Sequence, residues 1–522
     1  MTESRRPKDV ETHIGDHKLD PSTLMMGYGF DPALSEGSLK PPIFLTSTFV
    51  FDTAADGKRF FEGITGKSDG TGRAEGLVYS RFNGPNQEIL EDRLAVWEDA
   101  EGALSFSSGM TAITTLVLTL ANQNDVIVHS GPLYAASESV IDKIMARFGV
   151  AYVDFPAGAT REELDEVMAK AAAMAAEKGG KVALIYLESP ANPTNALVDV
   201  EAVHAARAAA FSGELPPIAI DNTFLGPLWA KPLNQGADVS VYSLTKYVGG
   251  HSDLVAGALV GAKKVLDKVR LIRNPMGGIC DPNTAWMLMR SLETLELRMT
   301  RAGESAEKVC EFLRNHPKVE KVGYLGFLEP GSRQEDIYKR HCTGAGSTFS
   351  LYLKGGEREA FAFLDALKIA KLAVSLGAGG DDPPFSPGGA QGRSWDQRQS
   401  GKDLDRRRKS RGSDRRLREC VKGGLGAVSM AREARGECPS CRTPIPFSRT
   451  IKRRADPFKC QGCGATLALA KVNMLVLLPL VAIALLVSKI GGLLAFAAIL
   501  MLIAVADWKL AKTRIADRVD RP

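Results

Sequence analysis

The sequence predicts an α/β body, a mostly parallel sheet flanked by helices, that runs into a truncated α+β small domain. A tail of different make-up follows and reads as a zinc ribbon and a two-helix membrane hairpin. Three observations predict this. Short Val/Ile-rich runs alternate with helical patterns between about residues 86 and 260. Composition changes abruptly after Leu376, where Gly, Pro, Asp and Arg replace the aliphatics. Two C-x2-C pairs are then followed by two apolar runs.

Residues 1–75 read as an N-terminal arm, and "MTESRRPKDVETHIGDHKLD" lacks the apolar centre of a secretory signal, so the body is expected to fold in the cytoplasm. Residues 76–270 read as the large domain. "DVIVHS" (125–130), "VALIYLES" (182–189), "PIAIDNT" (217–223) and "DVSVYS" (238–243) are short and rich in β-branched residues, as buried parallel strands are. Between them, Thr160 and Glu163 stand in capping-box register ahead of a helix that stops at Gly179. Residues 271–376 read as an incomplete small domain: one long helix-like stretch from Asp281 to His316, then strand-like "STFSLYL". Residues 377–437 hold too little apolar surface to offset ordering entropy and read as a disordered basic linker.

The net charge of +5 hides an asymmetry: −9 over residues 1–376, +6 over 377–436 and +8 over 437–522. An acidic body joined to a basic tail implies two environments, and no nucleic-acid partner is expected. Of the eight cysteines, Cys280, Cys310, Cys342 and Cys420 are scattered singly, which suits reduced thiols better than a disulfide framework.

Functional groups should lie at the carboxyl ends of parallel strands, and candidates do. Lys246 follows the 238–243 strand within "SVYSLTKYVGGHSD", Asp221 ends "AIDNTF", and Tyr134 follows "DVIVHSGPLY". Ser108, Gly109 and Met110 open a helix whose free N–H groups and dipole favour a phosphate, and the hydroxyls of Ser243 and Thr245 could donate to it. A lysine amine, a buried acid, a stacking aromatic and a phosphate cradle are what pyridoxal 5'-phosphate (PLP) requires. His251 reads equally well as a site residue or as a packed histidine beside a Gly-Gly turn.

Together "YSRFN", "SSGM", "ESPANPT", "IDNTF" and "SVYSLTKYVGGHSD" resemble the Cys/Met-metabolism PLP-dependent enzymes, the group of cystathionine γ-synthase, cystathionine lyases, methionine γ-lyase and O-acetylhomoserine sulfhydrylase. The resemblance runs from about Gly27 to Leu376. It implies the PLP-dependent transferase fold type I and elimination or replacement at the β- or γ-carbon of sulfur amino acids. It implies that Lys246 binds the cofactor covalently and shuttles the α-proton, that Asp221 pairs with the ring nitrogen, and that Tyr134 stacks on the ring and assists leaving-group departure. By the same resemblance Asn192 contacts the phenolate oxygen, and Ser108, Gly109, Met110, Ser243 and Thr245 surround the phosphate. Tyr79 and Arg81 would reach a neighbouring subunit's phosphate, which implies a homo-oligomer, a dimer of dimers, with shared sites. Members of the family continue past this point with an R-x-S-x-G-x-E motif whose Arg clamps the substrate carboxylate. This chain has no such motif after Gly377, and its composition there resembles either a shifted reading frame or the linker of a natural fusion.

In the tail, Cys438, Cys441, Cys460 and Cys463 form two C-x2-C knuckles able to complete a tetrahedral, structural zinc site. Val472 to Val487 and Ile490 to Ala506 are each near the ~17-residue minimum for a membrane span. Parted by Ser488-Lys489 and flanked by Lys471, Lys509, Lys512, Arg514 and Arg518, residues 471–508 read as a hairpin with both ends, including the basic tail 509–522, in the cytoplasm. Two functions therefore stand side by side: an enzyme anchored at the inner membrane, or a catalytically impaired chain whose intact module is a zinc-ribbon membrane protein.

Overall fold

The computed structural model describes residues 12–67 and 76–367, the positions Ala370, Leu372, Ala373, Ser375 and Leu376, and further on residues 434–435, 458–459, 466–469 and 512–515. The chain divides into two units, Met1–Gln399 and Ser400–Pro522.

Seven strands form the sheet at the centre of the first unit: β1 (Gly102–Phe106), β2 (Val126–Gly131), β3 (Ala151–Pro156), β4 (Val182–Glu188), β5 (Ile218–Asp221), β6 (Val239–Tyr242) and β7 (Gly257–Gly261). Their order is β1-β7-β6-β5-β4-β2-β3. The run from β3 through β2, β4 and β5 to β6 is parallel, and β7 lies antiparallel to both β6 and β1. The four strands expected from sequence are β2, β4, β5 and β6, each within two residues of the expected bounds. β2 and β4 are buried throughout, which is why they read as unbroken apolar runs.

Helices α1 (Ala54–Ile64), α2 (Pro85–Glu98), α3 (Gly109–Leu120), α4 (Arg161–Lys178), α5 (Val200–Ala210) and α6 (Lys263–Met276) accompany the sheet. On one face Leu116 of α3 and Leu266 of α6 pack with Leu104, Ile127, Leu184 and Val239. On the other, Met168 of α4 and Val203 of α5 pack with Val126, Val153 and Leu187. α4 has the ends its sequence demands. The Thr160 hydroxyl accepts from the Glu163 N–H, the Glu163 carboxylate accepts from the Thr160 N–H, and Gly179 closes the helix at φ +70°.

Beyond the sheet come α7 (Pro282–Leu292), α8 (Leu295–Arg314), β8 (Val319–Gly323), α9 (Arg333–His341), β9 (Ser350–Leu353) and α10 (Glu357–Ala366), with β8 antiparallel to β9. The single long helix expected from Asp281 to His316 is two helices. Thr294 leaves the helical region at φ −119°, and its N–H and its hydroxyl both donate to the Ser291 carbonyl, at 3.2 and 3.3 Å. α10 has no buried residue.

In the second unit, β10 (Ala434–Arg435), β11 (Phe458–Lys459), β12 (Thr466–Leu469) and β13 (Lys512–Ile515) form an antiparallel sheet in the order β10-β13-β12-β11. Ala434 and Arg435 belong to the stretch expected to be disordered; pairing with Thr513 and Lys512 gives them extended structure. The rest of that linker, Cys438, Cys441, Cys460 and Cys463, and both apolar runs lie outside the described residues. Among the described residues no helix is long and apolar enough to cross a membrane.

Candidate active site

β6 ends at Tyr242, and the turn after it carries Ser243, Thr245 and Lys246. The Gly249 N–H donates to the Leu244 carbonyl and the Gly250 N–H to the Lys246 carbonyl, both at 2.7 Å. The Arg298 guanidinium of α8 donates to the carbonyls of Tyr247 (2.8 Å), Val248 (3.2 Å) and Ser291 (2.9 Å). At Gly250 φ is +71° and a Cβ would stand 1.8 Å from Arg298 Nη1, so this turn requires glycine. Lys246 Nζ donates to Ser375 Oγ at 3.0 Å. Burial lowers the proton affinity of this amine, and the Asp221 carboxylate partly opposes the shift.

Asp221 ends β5 and pairs in register with Glu188, the last residue of β4. Its Oδ1 accepts from the Thr223 N–H at 3.0 Å. Burial raises the Asp221 carboxyl above the usual range, against the lowering effects of Thr223 and Lys246. Glu188 is buried. Its Oε2 accepts from the Tyr134 N–H and its Oε1 from the Asn192 N–H, each at 2.7 Å. Burial and then the neighbouring Asp221 raise this carboxyl too. Tyr134 itself, at the entry to the short helix Ala135–Ser139, is 47% exposed.

Ser108 caps α3, its hydroxyl accepting from the Thr111 N–H at 3.0 Å. A Cβ on Gly109 would lie 3.0 Å from the Ser243 Cβ, so the start of α3 and the turn after β6 abut through a hydrogen atom. The Ser243 N–H donates to Thr223 Oγ1 at 2.9 Å, tying that turn to the end of β5. The Thr245 hydroxyl sits on the Ala256 backbone, accepting from its N–H at 3.1 Å and donating to its carbonyl at 3.2 Å. Met110 packs against the core.

The expected residues Lys246, Asp221, Tyr134, Asn192, Ser108, Gly109 and Ser243 are thus joined at the carboxyl edge of the sheet. Tyr79 and Arg81 stand elsewhere. Tyr79 bridges to Thr48, and Arg81 donates to the Asn274 carbonyl with its guanidinium 4.3 Å from the Phe82 ring centre. His251 turns back on the Gly249 carbonyl at 2.6 Å. Four residues that link the cluster, Glu188, Thr223, Arg298 and Ser375, were not singled out from sequence, although Glu188 and Thr223 lie inside the quoted motifs. Asp199, Glu201 and His341 also converge, but Arg340 already donates to Asp199 at 2.7 Å and to Glu201, which makes them an ion-pair network.

These residues fit PLP. The amine is depressed in proton affinity, an acid is pinned on the adjacent strand end, and the N-terminus of α3 at Gly109 stands directly against Ser243 of the turn that carries Lys246.

The family described as Cys/Met metabolism PLP-dependent enzyme matches residues 22–380. The chain is 36% identical over 346 residues to L-methionine gamma-lyase of Fusobacterium nucleatum subsp. polymorphum, covering 65% of this chain and 80% of that one. It is 34% identical to O-succinylhomoserine sulfhydrylase of Pseudomonas aeruginosa, covering 66% and 78%. It is also similar to the crystal structure of metB from Corynebacterium glutamicum, with a TM-score of 0.60 and 28% identity over 69% of this chain and 85% of that one.

Proposed function

Because the chain belongs to the Cys/Met-metabolism PLP-dependent enzymes, we propose that it catalyses elimination or replacement at the β- or γ-carbon of a sulfur amino acid. The observation that carries this reading is the placement of Lys246 and Asp221 at neighbouring strand ends, near enough for the carboxylate to act on the amine, with the Gly109 helix entry against the same turn. Ser108, Gly109, Met110, Ser243 and Thr245 would surround the phosphate, Asp221 the ring nitrogen, Asn192 the phenolate oxygen, and Tyr134 one ring face. When bound, the cofactor supplies an electron sink that acidifies the substrate's α-hydrogen. Lys246 offers the amine nucleophile and then takes and returns the α-proton, and the burial that lowers its proton affinity favours the neutral amine. Ser375 orients Nζ through its hydroxyl. Thr223 pins the Asp221 carboxylate against the positive charge it would meet.

Full-length protein reconstituted with PLP is expected to show a visible absorption band, and Lys246→Ala to abolish it with a loss of turnover of ~10³-fold or more. A colourless reconstituted protein overturns the reading. Thiol, ammonia and α-keto acid release from methionine, cystathionine and O-acylated homoserines then separates elimination from replacement.

Exposed Leu39, Leu45 and Val50 in the arm, together with half-exposed Tyr79, support a homo-oligomer in which Tyr79 and Arg81 serve a neighbouring site. A second reading is an impaired enzyme. The family match stops at residue 380, and about a fifth of the methionine-lyase relative has no counterpart here, consistent with the missing substrate-carboxylate clamp. For the tail, β11 and β12 pair as a hairpin whose connection contains Cys460 and Cys463, which supports a zinc knuckle there completed by Cys438 and Cys441. β12 pairs with β13 across the whole apolar stretch, which supports both ends of a membrane hairpin lying on one side and so a cytoplasmic body anchored at the membrane. Bound zinc is expected at one per chain and to be lost in Cys460→Ser, with the cofactor's absorption band unchanged.

A further inference from the structure

We propose that Glu188 is a positioning residue of the cofactor site, holding the backbones of Tyr134 and Asn192 on its two carboxylate oxygens from beside Asp221. The inference rests on the PLP reading above and goes past it, because Glu188 is none of the groups assigned to the cofactor. Tyr134 follows β2 and Asn192 follows β4, and they come from loops with no sequence relation. One buried carboxylate joins them at 2.7 Å on either oxygen. Two N–H donors held on the two oxygens of one side chain fix the ring-stacking residue and the phenolate-binding residue relative to each other before any ligand arrives. The third anchor is the Glu188 N–H, which donates to Ser130 Oγ at 3.0 Å and holds the end of β4 to β2.

The placement also has an electrostatic side. Glu188, buried, and Asp221, part-buried, are paired across neighbouring strands. The charged and titratable groups acting on them are Glu138 of the helix after Tyr134, Tyr186 on β4, and Lys246, which faces Asp221. Lys246 is the one cation among these; burial favours a proton on this carboxyl pair, and a protonated nitrogen entering the site draws the pair toward its ionised form and so strengthens the negative field there.

The test uses the full-length chain with PLP and the variants Glu188→Ala, Glu188→Gln and Glu188→Asp. Three readouts are taken: cofactor affinity by fluorescence quenching, the circular dichroism of the visible cofactor band, and the pH midpoint of that band. Glu188→Ala is expected to weaken cofactor binding at least tenfold and to change the dichroism of the cofactor still bound. Glu188→Gln, which keeps one acceptor oxygen and removes the charge, is expected to weaken binding less and to move the midpoint to lower pH. Glu188→Asp, which keeps the charge but falls one methylene short, is expected to leave the midpoint closer to that of the parent. If all three variants only lower the melting temperature of the cofactor-free chain, with affinity, dichroism and midpoint unchanged, Glu188 is merely structural and the proposal is overturned. A parent protein that forms no visible band sinks the PLP reading and this proposal together, whereas variants indistinguishable from a yellow parent sink this proposal alone.

Discussion

β4 is buried at all seven of its positions, whereas β9 has one buried residue in four, and α10, which follows it, has none. Both regions are apolar enough to want cover: α10 carries Phe361 at 52% exposure. The difference shows where the fold is finished. Around β4 every apolar side chain has a partner on one face of the sheet or the other, and the groups at the strand ends inherit that rigidity. Past residue 316 a two-stranded sheet and its helices leave apolar surface exposed, Phe361 among it, in the region that leads up to residue 380, where the family match stops.

Three changes break or sharpen this contrast. The largest effect is expected at Leu184 in β4, which is fully buried between Leu104, Ile127 and Val239. Leu184→Ala should cost about 2–5 kcal/mol in denaturant unfolding, because the cavity has close-packed walls on every side. A loss under 1 kcal/mol would mean that the sheet core is as loosely held as the region around α10. Next comes Glu98, buried at the end of α2 against the Tyr242 hydroxyl, its carboxyl pushed up to about 8. A carboxyl raised on folding holds its proton in the native state while the unfolded chain releases it. Its stabilising contribution is therefore full below the ordinary value near 4.5 and is lost as pH rises through about 8. Glu98→Gln should accordingly flatten the fall in melting temperature between about pH 5 and 8, and an unchanged pH slope would show that the group ionises freely. The smallest effect is expected at Phe361. Phe361→Ser should shift stability by less than about 0.5 kcal/mol while reducing aggregation seen by light scattering.

The parallel strands were legible because burial on both faces writes a continuous apolar run, and the ends of α4 because capping chemistry is local. The antiparallel edge was not. β1 and β7, "GALSF" and "GALVG", are short, and β7 has a glycine at each end that reads against a strand, yet those two glycines are what the packing demands. A Cβ at Gly257 would stand 2.3 Å from the Ser108 carbonyl oxygen, and one at Gly261 2.2 Å from that of Asp238. Lys246 and Asp221 were readable as residues at strand ends. The role of Glu188 was hidden, because its partner N–H at Tyr134 lies 54 residues earlier in the chain and only the sheet order brings the two together. The break at Thr294 was hidden for a related reason: a helical apolar period runs straight through it, while the turn is made locally, the Thr294 N–H and hydroxyl both donating to the Ser291 carbonyl.

The contact between Lys246 and Ser375 reaches across 129 residues to nearly the last described position before the glycine-rich stretch. It sets a lower bound on the smallest fragment that keeps the amine's neighbour: a chain cut short of position 375 loses it. One severed after Gln399, where the two units part, keeps every proposed cofactor contact on a single piece.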